Sequence, residues 1–279
     1  MAVIHKLAIS QFRNLNQQYL ELGSRLNLFI ADNAQGKTSL IEAIYYLGHN
    51  RSFKTKSLKE LTQLDQQKFQ LDAKVDNYRV KLEKSKQKTN ISIDQQRLKN
   101  SSELSKILPI QIITPDKGFV VNGTPKNKRS YLDWGVFHVK PNFLTDFKKY
   151  NKALKNINIL LSQQKLDELD NWFLEIAQLS KNINLARYNY INELKNTNSL
   201  ELLKDLSVLF ESIDTFEYEF KSGWPKEVDA YSVDSIYRYL LKSKSYLLKS
   251  KYLNYGPHKA SLKFYLNKQE ECFLSRGEQ

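Results

Sequence analysis

Eight residues constrain this chain more than any others: Ala31-Asp32-Asn33-Ala34-Gln35-Gly36-Lys37-Thr38. They follow a β-rich run from Arg25 to Ile30 and lead into a segment of helical character from Thr38 to Leu47. A strand, a Gly-Lys-Thr loop and a helix in that order form a phosphate-binding unit. The chemistry needs these residue types. Backbone N–H groups and the helix N-terminus surround phosphate oxygens, the Lys37 ammonium reaches the β/γ positions, and the Thr38 hydroxyl ligates Mg2+. Ala31 and Ala34 stand where such loops usually carry glycine. An alanine forced to positive φ costs on the order of 1 kcal/mol, and each methyl crowds the phosphates.

The surroundings of the loop read as mixed α/β. Val3 to Ile9 has strand character, and Phe69 to Val75, Tyr78 to Glu83 and Asn90 to Asp94 alternate apolar and polar residues like a half-exposed antiparallel meander. Pro109 to Ile113 reads as a short buried strand. The period then changes. Phe143, Phe147, Tyr150, Leu154, Ile157 and Leu161 recur at steps of 4, 3, 4, 3 and 4, one face of a long helix. Trp172, Ile176, Leu179, Ile183, Tyr190 and Leu194 predict a second helix, and Leu200 to Leu209 and Val233 to Leu248 predict more. Strand character returns at Ser261 to Leu266 and Glu271 to Leu274. A chain of 279 residues with 41% hydrophobic content supports about two cores. The expected organisation is an N-terminal lobe at 1–122, an inserted helical lobe at 123–253 and a return segment at 254–279.

Charge and cysteine usage narrow the function classes. Lys plus Arg number 43 against 30 Asp plus Glu, a net charge of +13, which favours polyanionic partners. Lys148, Lys149, Lys152 and Lys155 lie mostly off the apolar stripe of the first long helix. Tyr237-Arg238-Tyr239, Lys242, Lys244, Tyr246, Lys249, Lys251 and Tyr252 form a second basic and aromatic stretch. Ammonium groups release counterions from phosphates and aromatic faces stack unpaired bases, so a diffuse DNA-facing surface with little base specificity is expected. The single Cys272 forms no internal disulfide, and His5, His49, His138 and His258 are scattered, so neither a thiolate metal cage nor a hydrolytic triad is indicated. No run reaches a membrane span and the start has no signal-peptide core, so a cytoplasmic, nucleoid-associated protein is expected.

Several elements carry a resemblance. Leu7-Ala8-Ile9-Ser10-Gln11-Phe12-Arg13-Asn14-Leu15, the loop with Ile41-Glu42-Ala43, and Ser52-Phe53-Lys54-Thr55 occur in that order. Gly123-Thr124-Pro125-Lys126-Asn127-Lys128-Arg129-Ser130-Tyr131-Leu132-Asp133 and Gly256-Pro257-His258-Lys259 follow, with Ser261 where an Asp is usual. Leu274-Ser275-Arg276-Gly277-Glu278-Gln279 closes the series, with Ser275 and Glu278 spaced as a capping box. Together these resemble the RecF family, bacterial recombination and repair ATPases related to the heads of SMC proteins.

The resemblance implies an α/β fold, a P-loop NTPase of the ABC/SMC-head type with an inserted helical lobe. It implies ATP and Mg2+ held in cis at Ala31–Thr38, with Ser275 and Gly277 contacting the nucleotide of a partner in an ATP-dependent homodimer. It also implies action on DNA at single-strand gaps or junctions, with the RecO and RecR mediators, to load the RecA recombinase. In the family a Walker B strand follows the signature helix and supplies the Mg2+-supporting Asp and the water-positioning Glu. Since the 279 residues end at the signature, the expectation is ATP binding with little hydrolysis and an exposed apolar sheet edge that favours association. The rival readings are an SMC-like head subunit, against which no sustained heptad coiled coil is present, and a DNA-holding copy that does not cycle. A small P-loop kinase fits neither the charge nor the closing motif.

Overall fold

A computed structural model describes residues 2–98, 100–113, 123–165, 168–197 and 215–273. The chain divides into two compact units, Met1–Ile113 and Thr114–Gln279.

In the first unit, strands β1 (Ile4–Phe12), β2 (Leu15–Glu21), β3 (Lys68–Val75), β4 (Tyr78–Ser85), β5 (Thr89–Ile93) and β6 (Gln96–Arg97) form one antiparallel sheet. Its order is β2-β1-β3-β4-β5-β6. The alternation in the sequence sets the two faces. Leu7, Ile9, Phe69, Leu71, Ala73, Val75, Val80 and Leu82 are buried on one side, and the residues between them face solvent. Helix α1 (Lys37–His49) covers the buried face with Ala43, Tyr46 and Leu47. Phe12, Tyr46 and Phe69 meet edge to face there, with ring centroids 4.9–6.2 Å apart. Short helices α2 (Leu58–Leu61) and α3 (Ser102–Ile107) complete this core. The β5–β6 turn places Asp94 and Gln95 at φ +47° and +68°, the twist a two-residue hairpin needs.

The second unit is built on helices α4 (Pro125–Val139), α5 (Phe143–Gln163), α6 (Leu169–Thr197), α7 (Val233–Lys242) and α8 (Lys244–Ser250). Thr124 caps α4 by accepting from Asn127 N at 3.3 Å, with Pro125 in the first helical turn. Tyr150, Ala153, Ile157 and Leu161 of α5 pack with Phe173, Ile176, Ala177 and Ile183 of α6. A small sheet, β7 (Phe216–Lys221), β8 (Ser261–Leu266) and β9 (Gln269–Glu270), lies in the same unit, so the described part of 254–273 folds with the helices.

Four local expectations are corrected. Residues 26–30 form no strand: no described strand lies beside them, and Leu26, Leu28 and Ile30 are 76–85% exposed. An extended run without a neighbour has no ladder to join. Residues 109–113 are likewise irregular. Pro109 has no N–H to donate, and Ile113 is exposed while Ile110 seats against Gly48. The 233–248 helix is two helices, broken at Ser243. Glu271–Phe273 is a 3-10 turn rather than a strand. The helix expected at 200–209 lies outside the described residues, as does Leu274.

Candidate nucleotide-binding loop and its clasp

Gly36 has φ +95° and caps α1, which begins at Lys37. The N–H groups of the first helical turn have no carbonyl in their own helix to bond, and they face the loop. The Lys37 ammonium curls back to donate to the carbonyl oxygens of Ala31 and of Asp32, the latter at 2.8 Å. Among the described residues no carboxylate forms an ion pair with it, so its charge is available to an anion. Thr38 is exposed in the first turn, and Ala31 to Gln35 are exposed along the loop. The contiguous residues Ala31–Thr38 therefore do come together as a curled cradle at a helix N-terminus. Ala34 adopts φ +68°, the left-handed conformation the loop demands there. A cavity of about 290 Å³ beside the loop is lined by Leu15, Leu20, Leu28, Ile30, Leu40 and Lys37 among others.

What the sequence alone does not give is the clasp that holds this loop. The β1–β2 turn carries Arg13 at φ +52°, an uncommon conformation for a long side chain. Its N–H bonds the Leu61 carbonyl at 2.7 Å. Its guanidinium forks onto the fully buried Glu42 of α1, with Nη2 to Oε1 at 2.8 Å. Ser52 donates to the same carboxylate. Next in the chain, Asn14 donates from Nδ2 to the Ala34 carbonyl at 3.2 Å and accepts from Ser39 Oγ at 2.7 Å. Arg13 thus fixes the helix, and Asn14 fixes the loop against it. Both residues belong to the Phe12-Arg13-Asn14 element. Their link to Glu42, Ser52 and Ala34 needs the folded sheet to be visible.

In the second unit the Gly123–Asp133 element does comparable work. Asp133 accepts two bonds from the buried Arg187, at 2.8 and 3.0 Å, and Arg187 Nη1 donates to the Pro257 carbonyl at 2.8 Å. Arg129 donates to Ala260 O at 2.9 Å, and Lys128 pairs with Glu271, which also accepts from Phe264 N. His258 Nε2 lies 3.0 Å from Leu253 O, and since a carbonyl only accepts, Nε2 carries the proton. Nδ1 then accepts from Tyr150 Oη at 2.6 Å. Desolvation, helped by the Lys259, Arg129 and Arg187 cations, pushes His258 down to about 4. The Gly256-Pro257-His258-Lys259 turn is held from three sides by this network. Ser275 and Gly277 lie outside the described residues.

Of the expected DNA-facing residues, Lys148, Lys149, Lys152 and Lys155 are exposed on α5, away from its buried row. Lys242 is exposed, while Arg238 is ion-paired to Asp234 at 2.9 Å. Tyr237 and Tyr239 pack against the core and Lys244 pairs with Asp170 at 2.8 Å, which leaves Tyr246 and Tyr252 as the open aromatic faces of that stretch.

Comparison with known proteins places these features in a lineage. A family profile described as RecF/RecN/SMC N terminal domain matches residues 3–279. The "DNA replication and repair protein RecF" of Hydrogenovibrio crunogenus is 30% identical over 289 residues, covering 100% of this chain and 76% of the relative. That of Psychromonas ingrahamii is 33% identical over 288 residues, covering 99% and 76%. Among solved structures, one described as the recombination mediator protein RecF-ATP in the RecFOR pathway matches with TM-score 0.83 at 26% identity, over 99% of this chain and 77% of that one. The likeness covers the α/β, ABC/SMC-head type of fold with its helical lobe. The chain belongs to the RecF family of DNA repair and recombination proteins.

Proposed function

We propose that this chain binds Mg2+·ATP at Ala31–Thr38 and uses that binding to act on DNA in recombinational repair. The observation that carries the reading is the cradle at the N-terminus of α1. It presents the N–H groups of the first helical turn, an ammonium without a carboxylate partner among the described residues and an exposed Thr38 hydroxyl. These residue types suit a polyphosphate and its Mg2+: N–H groups and Lys37 for oxygens, Thr38 for the metal. Bound nucleotide would supply negative charge in the loop, replacing the carbonyls that Lys37 now contacts. The net charge of +13 and the exposed lysines of α5 suit DNA backbone binding with little sequence preference. Single-strand gaps or junctions are the proposed targets. Homodimerisation with Ser275 and Gly277 on the partner's nucleotide, and cooperation with RecO and RecR to load RecA, complete the reading; the related structure's RecFOR description supports the RecO and RecR part of it.

Equilibrium Mg2+·ATP binding to the chain, beside Lys37→Ala, tests the central step. Saturable binding that weakens at least about tenfold in the variant is expected, the size of a lost charge-assisted contact. Absence of binding in both proteins, or equal binding in both, overturns the reading.

A further inference from the structure

A second hollow in the first unit lies away from the loop. It has a volume of about 400 Å³ and sits on the solvent face of the six-stranded sheet. Ala8 forms its floor, opposite Tyr19 on β2 and Asp72 on β3. A methyl amid long side chains makes the concavity. Lys6, Lys74 and Arg79 stand around it, with Gln70 and Asn77 as neutral hydrogen-bonding groups.

The register identifies the whole face. Lys6, Lys68, Lys74, Arg79, Lys81 and Arg97 point to solvent from the strands of this sheet, against four carboxylates, Glu21, Asp72, Glu83 and, across from Arg79, Asp94. Each carboxylate is already engaged: Lys6–Glu21 pairs at 3.0 Å, Arg79–Asp72 at 2.9 Å and Lys68–Glu83 at 2.8 Å, and Asp94 accepts from Arg79 N at 2.8 Å. Lys74 and Lys81 have no ion-pair partner among the described residues, and both are exposed. The face therefore carries an uncompensated positive field. Tyr19 is 62% exposed on the edge strand, with a cation 6.0 Å from its ring and only Ala8 opposite it. A large aromatic ring in that position buries little within its own fold.

We infer that this sheet face binds single-stranded DNA, with Lys74 and Lys81 on phosphates and one base stacked on Tyr19 in the hollow over Ala8. Cations in excess along an open strand face suit a flexible polyanion. An exposed ring above a small-residue floor suits a planar base, with no requirement for its identity. The inference rests on the DNA-binding reading above and assigns it a surface in the first unit, distinct from the lysines of α5.

The test is fluorescence anisotropy of the full chain with a fluorescein-labelled oligothymidylate, across a salt series, beside a duplex of equal length. Mg2+·ATP binding and thermal melting of each variant are measured in parallel. Tyr19→Ala is expected to weaken single-strand binding about tenfold with little effect on duplex, and Tyr19→Phe to restore it. Lys74→Ala combined with Lys81→Ala is expected to lower the log–log salt slope by about 1.4, the share of two single-strand phosphates. Parent-like single-strand affinity and slope in both variants would overturn the inference and leave the DNA-binding reading standing. A parent chain that binds neither DNA would overturn both.

Discussion

At φ +68° Ala34 holds a conformation that costs an L-residue roughly 1–2 kcal/mol and costs glycine nothing. The Asn14 bond to its carbonyl helps to keep it there. Glycine at this position loses some chain entropy on folding, about 0.4–1 kcal/mol, so relief of strain and entropy partly cancel. Ala34→Gly is therefore expected to raise stability by up to about 1 kcal/mol in urea titration and to tighten ATP binding by removing a methyl from the cradle. A lower urea midpoint would mean the strain is absent. His258 makes the opposite kind of prediction, because its folded form is the neutral ring with both nitrogens bonded. The folded ring titrates at about 4 and the unfolded one near 6.5. As pH falls below 6.5 the unfolded chain gains a proton that the folded chain refuses, so stability drops by up to about 1.4 kcal/mol per pH unit until about 4. Urea midpoints at pH 7, 5.5 and 4.5 should show this loss in the parent and a smaller loss in His258→Gln. Parallel losses would show that the ring is not held neutral.

Helix contacts turn on single positions too, and α4 against α6 is the clearest case. An alanine in mid-helix usually gains about 1 kcal/mol over glycine. At Gly135, however, an added Cβ would lie 2.3 Å from the Tyr190 hydroxyl oxygen and 2.4 Å from its ring carbon. Overpacking costs typically 1–3 kcal/mol, so sterics outweigh propensity and Gly135→Ala should lower the melting temperature by several degrees. Tyr190→Ala in the same chain should remove most of that added penalty. A more stable Gly135→Ala would show that the two helices do not approach this closely. Elements with a buried row were legible beforehand: β1, β3, β4, α1, α5 and α6 each show an apolar stripe at the right period. β2 was not, since Asn16, Gln17, Gln18 and Tyr19 are all polar or amphipathic and exposed on both faces of an edge strand, which leaves little apolar signal. β7 did carry a signal in Phe216, Tyr218 and Phe220 at alternate positions, within a region dominated by helical periods. The 26–30 run misled in the other direction, because β character in a sequence does not supply a neighbouring strand.

Taken whole, the molecule separates what linear motifs encode from what folding assembles. The loop from Ala31 to Thr38 is contiguous, so its residue types and its place before a helix could be read directly. The clasp unites Arg13 and Asn14 with Glu42, Ser52 and Ala34, and the basic sheet face unites residues from β1 to β6; both depend on strand register. Charge was legible as a total of +13 and as the lysines off the apolar stripe of α5, while the basic sheet face needed the strand register to be known.

β1 lies in the sheet between β2 and β3. β2 joins it at once through a tight turn, but β3 begins only at Lys68, and the loop, α1 and Ser52 all fall in the intervening stretch. Closing that stretch costs entropy before the β1–β3 contacts reward it. On the ribosome, the phosphate loop is therefore synthesised well before the sheet that supports it can close. Competence to hold a nucleotide should then arise with the closure of β3 onto β1, late in the emergence of this unit, rather than with the appearance of the loop itself.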